Sequence, residues 1–301
     1  MTGAPSAAAT PAGEVALIDQ PSTFEGVGGL ELLARRWSAA AAPRAAVALV
    51  HGFGDHSGRY VDVVATLTSA GFAVHGFDLR GHGRSPGRRG HIGAWSDYRD
   101  DVGRYLDHVR AQETPDTPVF LYGHSLGGAI VLEYGLRRPG GFSGVVASAP
   151  ALRPNGVRSP ALEGLAAGMS RIWPTFALTV PLEDEAITRD PERLAAVGID
   201  PLCHRRLTVR ATVVTLDTLA WTEAHAGEWR PPLLIFHGSA DRVIDPPGTV
   251  AFAQAAKAGG APDVELHLYE GGYHEAHNDL DRAAVMADVV DWLDRHVPLP
   301  T

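Results

Sequence analysis

Apolar residues gather in runs of strand length: Ala45 to Val50, Phe72 to Phe77, Val119 to Tyr122, Gly144 to Ala147, Leu233 to Phe236 and Val264 to Tyr269. Most are separated by stretches with helical spacing of apolar positions, at Tyr60 to Ala70, Asp97 to Gln112, Gly127 to Arg137, Thr249 to Ala258 and Arg282 to Arg295. Near-continuous apolar runs are what strands covered on both faces require. Their alternation with helices predicts an α/β architecture, a mostly parallel central sheet built from right-handed βαβ units. Ahead of this rhythm, extended segments near Leu30 to Trp37 and Ala45 to Val50 flank a turn region at Ala39 to Pro43, which predicts an opening hairpin. Residues 1–20, rich in Ala, Pro, Thr and Gly with no periodic apolar face, are expected to form a mobile arm.

One interval breaks the pattern. Between 151 and 229 there are prolines and helical spacings but no clear buried strand, so a core of residues 21–150 and 230–301 is expected to carry an inserted helical cap at 151–229. Its first pattern, Leu162, Leu165, Ala166, Met169, Ile172 and Trp173, reads as a helix. Its apolar face either packs within the insertion or belongs to a lid that lines a tunnel or touches lipid.

Composition narrows the function classes. The 301 residues are 45% hydrophobic and 20% charged, a globular balance, and a net charge of −9 is opposite to the basic footprint of a general nucleic-acid binder. A single cysteine, Cys203, leaves no intrachain disulfide and no cysteine-rich zinc site. No run approaches a membrane span and Met1 to Thr10 has no basic residue before its alanines, so a cytoplasmic protein without a signal peptide or transmembrane segment is expected.

The sharpest chemical signal is Gly123-His124-Ser125-Leu126-Gly127, followed by Gly128, set between an apolar run and a helical pattern. A serine nucleophile on a strand–turn–helix elbow needs small neighbours at such positions, because the turn is too tight for side chains. The bland alternative is a glycine turn that opens a helix. A serine hydroxyl is a weak nucleophile, so it needs an imidazole base and a carboxylate that orients the imidazole. In this arrangement they follow in the order Ser, Asp or Glu, His. After Leu233 to Phe236 come Asp241 and Asp245, and after Val264 to Tyr269 come His274 and His277. Asp241 is preferred because it lies closer to its strand end, and His274 because it directly follows a glycine turn; His267, within a strand pattern, reads as structural. Two backbone N–H groups must also face the developing oxyanion. Leu126 supplies one, and Phe53 in His51-Gly52-Phe53-Gly54 is the candidate for the other, unless that segment merely reverses the chain. The arginines of Asp78 to His91, which include Arg80, Arg84, Arg88 and Arg89, either meet an anion or form a solvated loop. With no Walker A, G-x-G-x-x-G or H-E-x-x-H pattern, no nucleotide, flavin or metal cofactor is called for.

Over residues 25 to 295 the chain resembles the monoglyceride lipase and lysophospholipase-like branch of the α/β-hydrolase family. The most specific segments are His51-Gly52-Phe53-Gly54-Asp55-His56-Ser57-Gly58-Arg59-Tyr60, Gly81-His82-Gly83-Arg84-Ser85, Gly123 to Gly128, Asp200-Pro201-Leu202, Gly238-Ser239-Ala240-Asp241 and Tyr269-Glu270-Gly271-Gly272-Tyr273-His274. The resemblance implies Ser125, Asp241 and His274 as triad, Phe53 and Leu126 as oxyanion donors, and Asp55, Arg59 and His277 around a bound glycerol. Two positions depart from the family pattern: Asp55 stands where glutamate is usual, and Val197 where a tyrosine precedes Asp-Pro-Leu. The implied activity is hydrolysis of a single-chain acyl ester, foremost a monoacylglycerol, with the cap in transient contact with a membrane. A lysophospholipid or short-chain ester is the alternative substrate, and a non-catalytic ligand-binding protein the alternative class.

Overall fold

The computed structural model describes residues 18–39, 42–155, 160–197 and 199–297; the rest of the expected arm, residues 1–17, lies outside them. In chain order come β1 (Ile18–Glu25), β2 (Glu31–Ser38), β3 (Ala46–Val50), α1 (Val61–Ser69), β4 (Ala73–Phe77), α2 (Ser96–Gln112), β5 (Val119–His124), α3 (Leu126–Arg137) and β6 (Gly144–Ser148). Then follow α4 (Pro160–Ile172), β7 (Ala177–Thr179), α5 (Pro191–Val197), β8 (Arg206–Thr208), α6 (Val209–Ala224), β9 (Leu233–Gly238), α7 (Pro246–Ala258), β10 (Val264–Tyr269) and α8 (Arg282–His296).

Eight strands form one sheet in the order β1-β2-β4-β3-β5-β6-β9-β10. The β1·β2 and β2·β4 pairings are antiparallel and the remaining five parallel. Alternation along β3 explains why its residues are apolar throughout. Ala46, Ala48 and Val50 face one core with Val102 and Tyr105 of α2 and Ile130 of α3. Val47 and Leu49 face the other, with Val63 and Leu67 of α1 and Val289 and Trp292 of α8. Each fully buried side chain of the Leu49 or Phe120 kind contributes about 1.5–3 kcal/mol.

The opening hairpin differs from expectation. β2 pairs with β1 and β4 rather than with β3. β1 begins at Ile18, inside the stretch expected to be an arm. Asp19 to Thr23 carry no apolar alternation, because β1 is an edge strand in which Phe24 alone among the described side chains is buried in the core, a place that also tolerates Pro21.

Chain connections run to opposite sides of β3, to β4 on one flank and β5 on the other. In open α/β sheets, such a switch point leaves a crevice beyond the carboxyl ends of the strands. Register aligns those ends: Val50 opposes both Phe77 and Gly123, His124 opposes Ser148, and Ser148 opposes Phe236. The loops after β3, β5, β9 and β10 therefore leave the same edge.

The segment between β6 and β9 arches over that edge. It holds α4, α5, α6 and one element absent from the sequence reading, the antiparallel pair β7·β8. Three-residue strands with Leu178 60% exposed leave no run of buried positions to read. α4 rests on α6, yet Leu165, Ile172 and Trp173 stay largely exposed. The side chain of Leu162 lies outside the described residues. Among the described residues, no helix is long and apolar enough to cross a membrane.

Candidate active site

β5 ends at His124, and the next residue turns sharply before α3 begins. Ser125 has φ 54° and ψ −115°, a conformation that costs a side-chain-bearing residue about 1–3 kcal/mol. Local hydrogen bonds hold it there: its N–H donates to the Ser148 carbonyl at 2.9 Å, and its own carbonyl accepts from Ala129 at 3.0 Å and Ala151 at 2.9 Å. A Cβ at Gly127 would lie 2.1 Å from the Val50 carbonyl oxygen, so only glycine lets α3 approach β3 this closely. That close approach is the physical content of the motif's last glycine.

The loops after β9 and β10 bring the other two groups to the serine. Ser125 Oγ lies 3.0 Å from His274 Nε2, and His274 Nδ1 lies 2.7 Å from Asp241 Oδ2. All three residues are buried. The Asp241 carboxylate is fully engaged: Oδ1 accepts from the N–H groups of Val243 (2.7 Å) and Ile244 (3.1 Å), while Oδ2 also accepts from His237 Nε2 at 2.8 Å. His237 is set in turn by Thr249 Oγ1, 2.7 Å from its Nδ1. Burial pushes the Asp241 carboxyl upward, but the charge and hydrogen bonds of His274 and His237 outweigh it and hold it well below the usual carboxylate range. Burial likewise pulls the His274 imidazole down, and Asp241 overcomes this, leaving it above its ordinary value. Asp245 instead precedes α7, its N–H bonded to the Arg153 carbonyl, and His267 bonds Asp288 on the far side of the sheet edge.

The segment after β3 lies against the serine, with the Gly52 Cα side 3.4 Å from Ser125 Cβ once a Cβ is imagined there. It brings Phe53 to the cavity wall, and Leu126 lines the same cavity. As the first residue of α3, Leu126 has an N–H with no intrahelical acceptor. Gly54 (φ 69°) accepts from the His204 N–H at 2.8 Å, which ties this loop to the segment above it.

A cavity of about 570 Å³ opens over Ser125. Its apolar lining includes Val180, Leu182, Leu207, Leu216, Leu219 and Ile244. Its polar lining includes a cluster in which Arg59 Nη1 stands 3.1 Å from Asp55 Oδ1 and 3.2 Å from Glu275 Oε1. Asp55 and Arg59, two of the residues that the resemblance implies around a glycerol, line the cavity, whereas the third, His277, does not. The 3-10 turn Ala276–Asn278 points its ring inward, stacked on Tyr60 and packed against His124. Burial there lowers the imidazole to about 4. The side chain of Val197 lies outside the described residues.

His56, Asp200 and Cys203 present potential ligand atoms within 4.8 Å of one another. The His56 ring is already committed, since Nδ1 accepts from the Gly58 N–H and its proton therefore sits on Nε2, which donates to Asp200 Oδ2 at 2.9 Å. Burial, helped by Asp55, pushes the Cys203 thiol up to about 12. The trio is a hydrogen-bonded pair beside a protonated thiol and offers no imidazole lone pair to a cation. In the arginine-rich loop, Arg80 is paired with the buried Asp101 and Arg89 donates to the Gly83 carbonyl, while Arg84 and Arg88 are exposed. Sequence reasoning left His237 and Glu275 without a role. His237 lies at the end of β9 and Glu275 in the loop after β10, but only the folded geometry shows which group each touches.

The family model described as serine aminopeptidase, S33, matches residues 41–281. The chain is 35% identical to the monoacylglycerol lipase of Mycolicibacterium smegmatis, over 91% of this chain and 97% of that protein. It is 31% identical to the monoglyceride lipase of Homo sapiens, over 89% and 88%. Among solved structures, the monoacylglycerol lipase of Paleococcus ferrophilus superposes with TM-score 0.80 at 31% identity, covering 88% of this chain and 99% of that one. A soluble variant of the Saccharomyces cerevisiae monoglyceride lipase, in complex with a substrate analog, superposes with TM-score 0.82 at 24% identity, over 97% and 100%, a likeness of fold. With the sheet order, the serine elbow and these relatives in agreement, the chain belongs to the monoglyceride lipase-like branch of the α/β-hydrolase family.

Proposed function

We propose that Ser125, His274 and Asp241 hydrolyse monoacylglycerols to fatty acid and glycerol through an acyl-enzyme. Family membership makes the chain a carboxylic ester hydrolase. The observation that carries the finer reading is the unbroken chain Ser125–His274–Asp241 beside a cavity whose lining combines apolar Val180, Leu182, Leu207 and Leu219 with polar Asp55, Arg59 and Glu275. Ser125 attacks the ester carbonyl as His274 takes its proton, Asp241 stabilises the imidazolium, and the N–H groups of Phe53 and Leu126 receive the oxyanion. His274 then protonates the departing glycerol and activates the water that releases the acid.

In this reading the segment 151–229 is a cap that covers the acyl chain, and its exposed Leu165, Ile172, Trp173 and Leu178 meet the lipid surface from which substrate is drawn. The test is a series of monoacylglycerols and p-nitrophenyl esters of increasing chain length, with vesicle co-sedimentation measured alongside. Each methylene added before the cavity fills should raise kcat/KM about fourfold, the value of about 0.8 kcal/mol per buried CH₂. A preference for acetate esters would reassign the protein as a short-chain esterase, and failure of a fluorophosphonate to label Ser125 would favour the ligand-binding alternative.

The pH profile follows from the same geometry. A protonated His274 cannot accept the serine proton, so kcat/KM is lost as the pH falls through its folded-state pKa. Because Asp241 raises that pKa, the midpoint of the acid limb is expected above 6.5. A p-nitrophenyl ester profile with its acid midpoint below 6 would contradict this role.

A further inference from the structure

We infer that Glu275 determines the alcohol this site accepts, admitting uncharged alcohols and turning away those that carry a phosphate; the inference rests on the ester-hydrolase reading above. The residue beside His274 occupies a position that a phosphate group would otherwise take. The guanidinium of Arg59 is a planar fork suited to two parallel bonds with a carboxylate or a phosphate. Here the fork is already filled: Nη1 donates to Glu275 Oε1 at 3.2 Å and Nη2 to Glu275 Oε2 at 3.3 Å, with Asp55 Oδ1 3.1 Å from Nη1.

Glu275 is not free to swing aside. Asn278 Nδ2 donates to its Oε2 at 2.9 Å, and its backbone N–H donates to the Ile187 carbonyl at 2.8 Å. The side chains of Glu275, Asp55 and Arg59 are 7%, 6% and 17% exposed, so solvent screens their charges weakly. One cation is thus held by two carboxylates. Asp200 adds a third acid to the same end of the cavity, and Arg205, the other arginine of the lining, is paired with Asp184. A glycerol meets acceptors for its hydroxyls there. A phosphate meets an excess of negative charge and a guanidinium whose Nη1/Nη2 face Glu275 already occupies.

The experiment measures kcat/KM on three substrates with the same acyl chain: a 1-acylglycerol, the corresponding 1-acylglycerol 3-phosphate, and a p-nitrophenyl ester. In the unsubstituted protein the neutral glyceride should be preferred over the phosphate about 100-fold or more, the scale set by charge-assisted hydrogen bonds lost or gained. Glu275→Gln, which keeps shape and removes charge, should lower that preference about 10- to 100-fold, and Asp55→Asn should lower it in the same direction. Taking the ratio within each variant cancels any change in the shared chemistry of Ser125 and His274. Equal turnover of glyceride and phosphate by the unsubstituted protein would overturn the inference. So would a ratio within about twofold of the original in Glu275→Gln, and Glu275→Ala is read in the same way if Glu275→Gln does not fold. Failure of the p-nitrophenyl ester in the unsubstituted protein would instead overturn the ester-hydrolase reading.

Discussion

Ser125→Ala is expected to lower kcat for any acyl ester by about 10⁶-fold, the scale seen when a serine nucleophile acting within a triad is removed. The loss arises because nothing else within reach of His274 Nε2 takes the place of the Ser125 hydroxyl 3.0 Å away. The elbow itself is held by backbone hydrogen bonds to Ser148, Ala129 and Ala151, none of which involves the hydroxyl. The variant should therefore unfold at nearly the same temperature as the parent while losing both turnover and covalent labelling by a fluorophosphonate. Residual activity within 100-fold of the parent, with the fold intact, would show that another group is the nucleophile.

Asp241→Asn should cost about 10⁴-fold in kcat/KM, through a change in imidazole orientation rather than through loss of the nucleophile. In the parent, Oδ2 accepts from two imidazoles, His274 at 2.7 Å and His237 at 2.8 Å, while two backbone N–H groups occupy Oδ1. An amide in that place offers only one oxygen to these four donors and turns its own N–H₂ toward another. If the amide nitrogen faces His274, the ring must present an acceptor at Nδ1, which moves its proton to Nε2 and leaves no base for Ser125. With the anion gone, His274 also loses the influence that raises its pKa, so residual activity should show an acid limb shifted to lower pH. Initial rates on a p-nitrophenyl ester between pH 5 and 9 give both quantities; a loss smaller than tenfold would make Asp241 dispensable.

The sequence disclosed most where burial and chemistry coincide. The runs that became β3, β5 and β9 are apolar at every position because helices cover both faces, and the loops after them carry the glycines that a crowded elbow requires. Position along the chain thus sufficed to choose Asp241 and His274, which the folded protein brings together with Ser125. β1 was hidden because the stretch from Asp19 to Thr23 in this edge strand has no buried side chain and so no alternation to detect. β7 and β8 were hidden because strands of three residues, in which only Thr208 is buried, are too short to show a pattern. His277 shows a different limit. The resemblance implied a place for it around a bound glycerol, but a sequence does not reveal which way a short 3-10 turn aims a ring, and here it packs against His124 and does not line the cavity. Glu275 went unassigned for a related reason, since its partner Arg59 lies 216 residues earlier.

The bond from the His204 N–H to the Gly54 carbonyl joins roof and floor of the site at the residue next to Phe53. A Cβ on Gly54 would sit 1.9 Å from the His204 carbonyl oxygen, so the two strands of chain ride together with no slack. Any residue with a Cβ at position 54 would therefore have to push the two segments apart, and the backbone of Phe53, one residue earlier, would move with them.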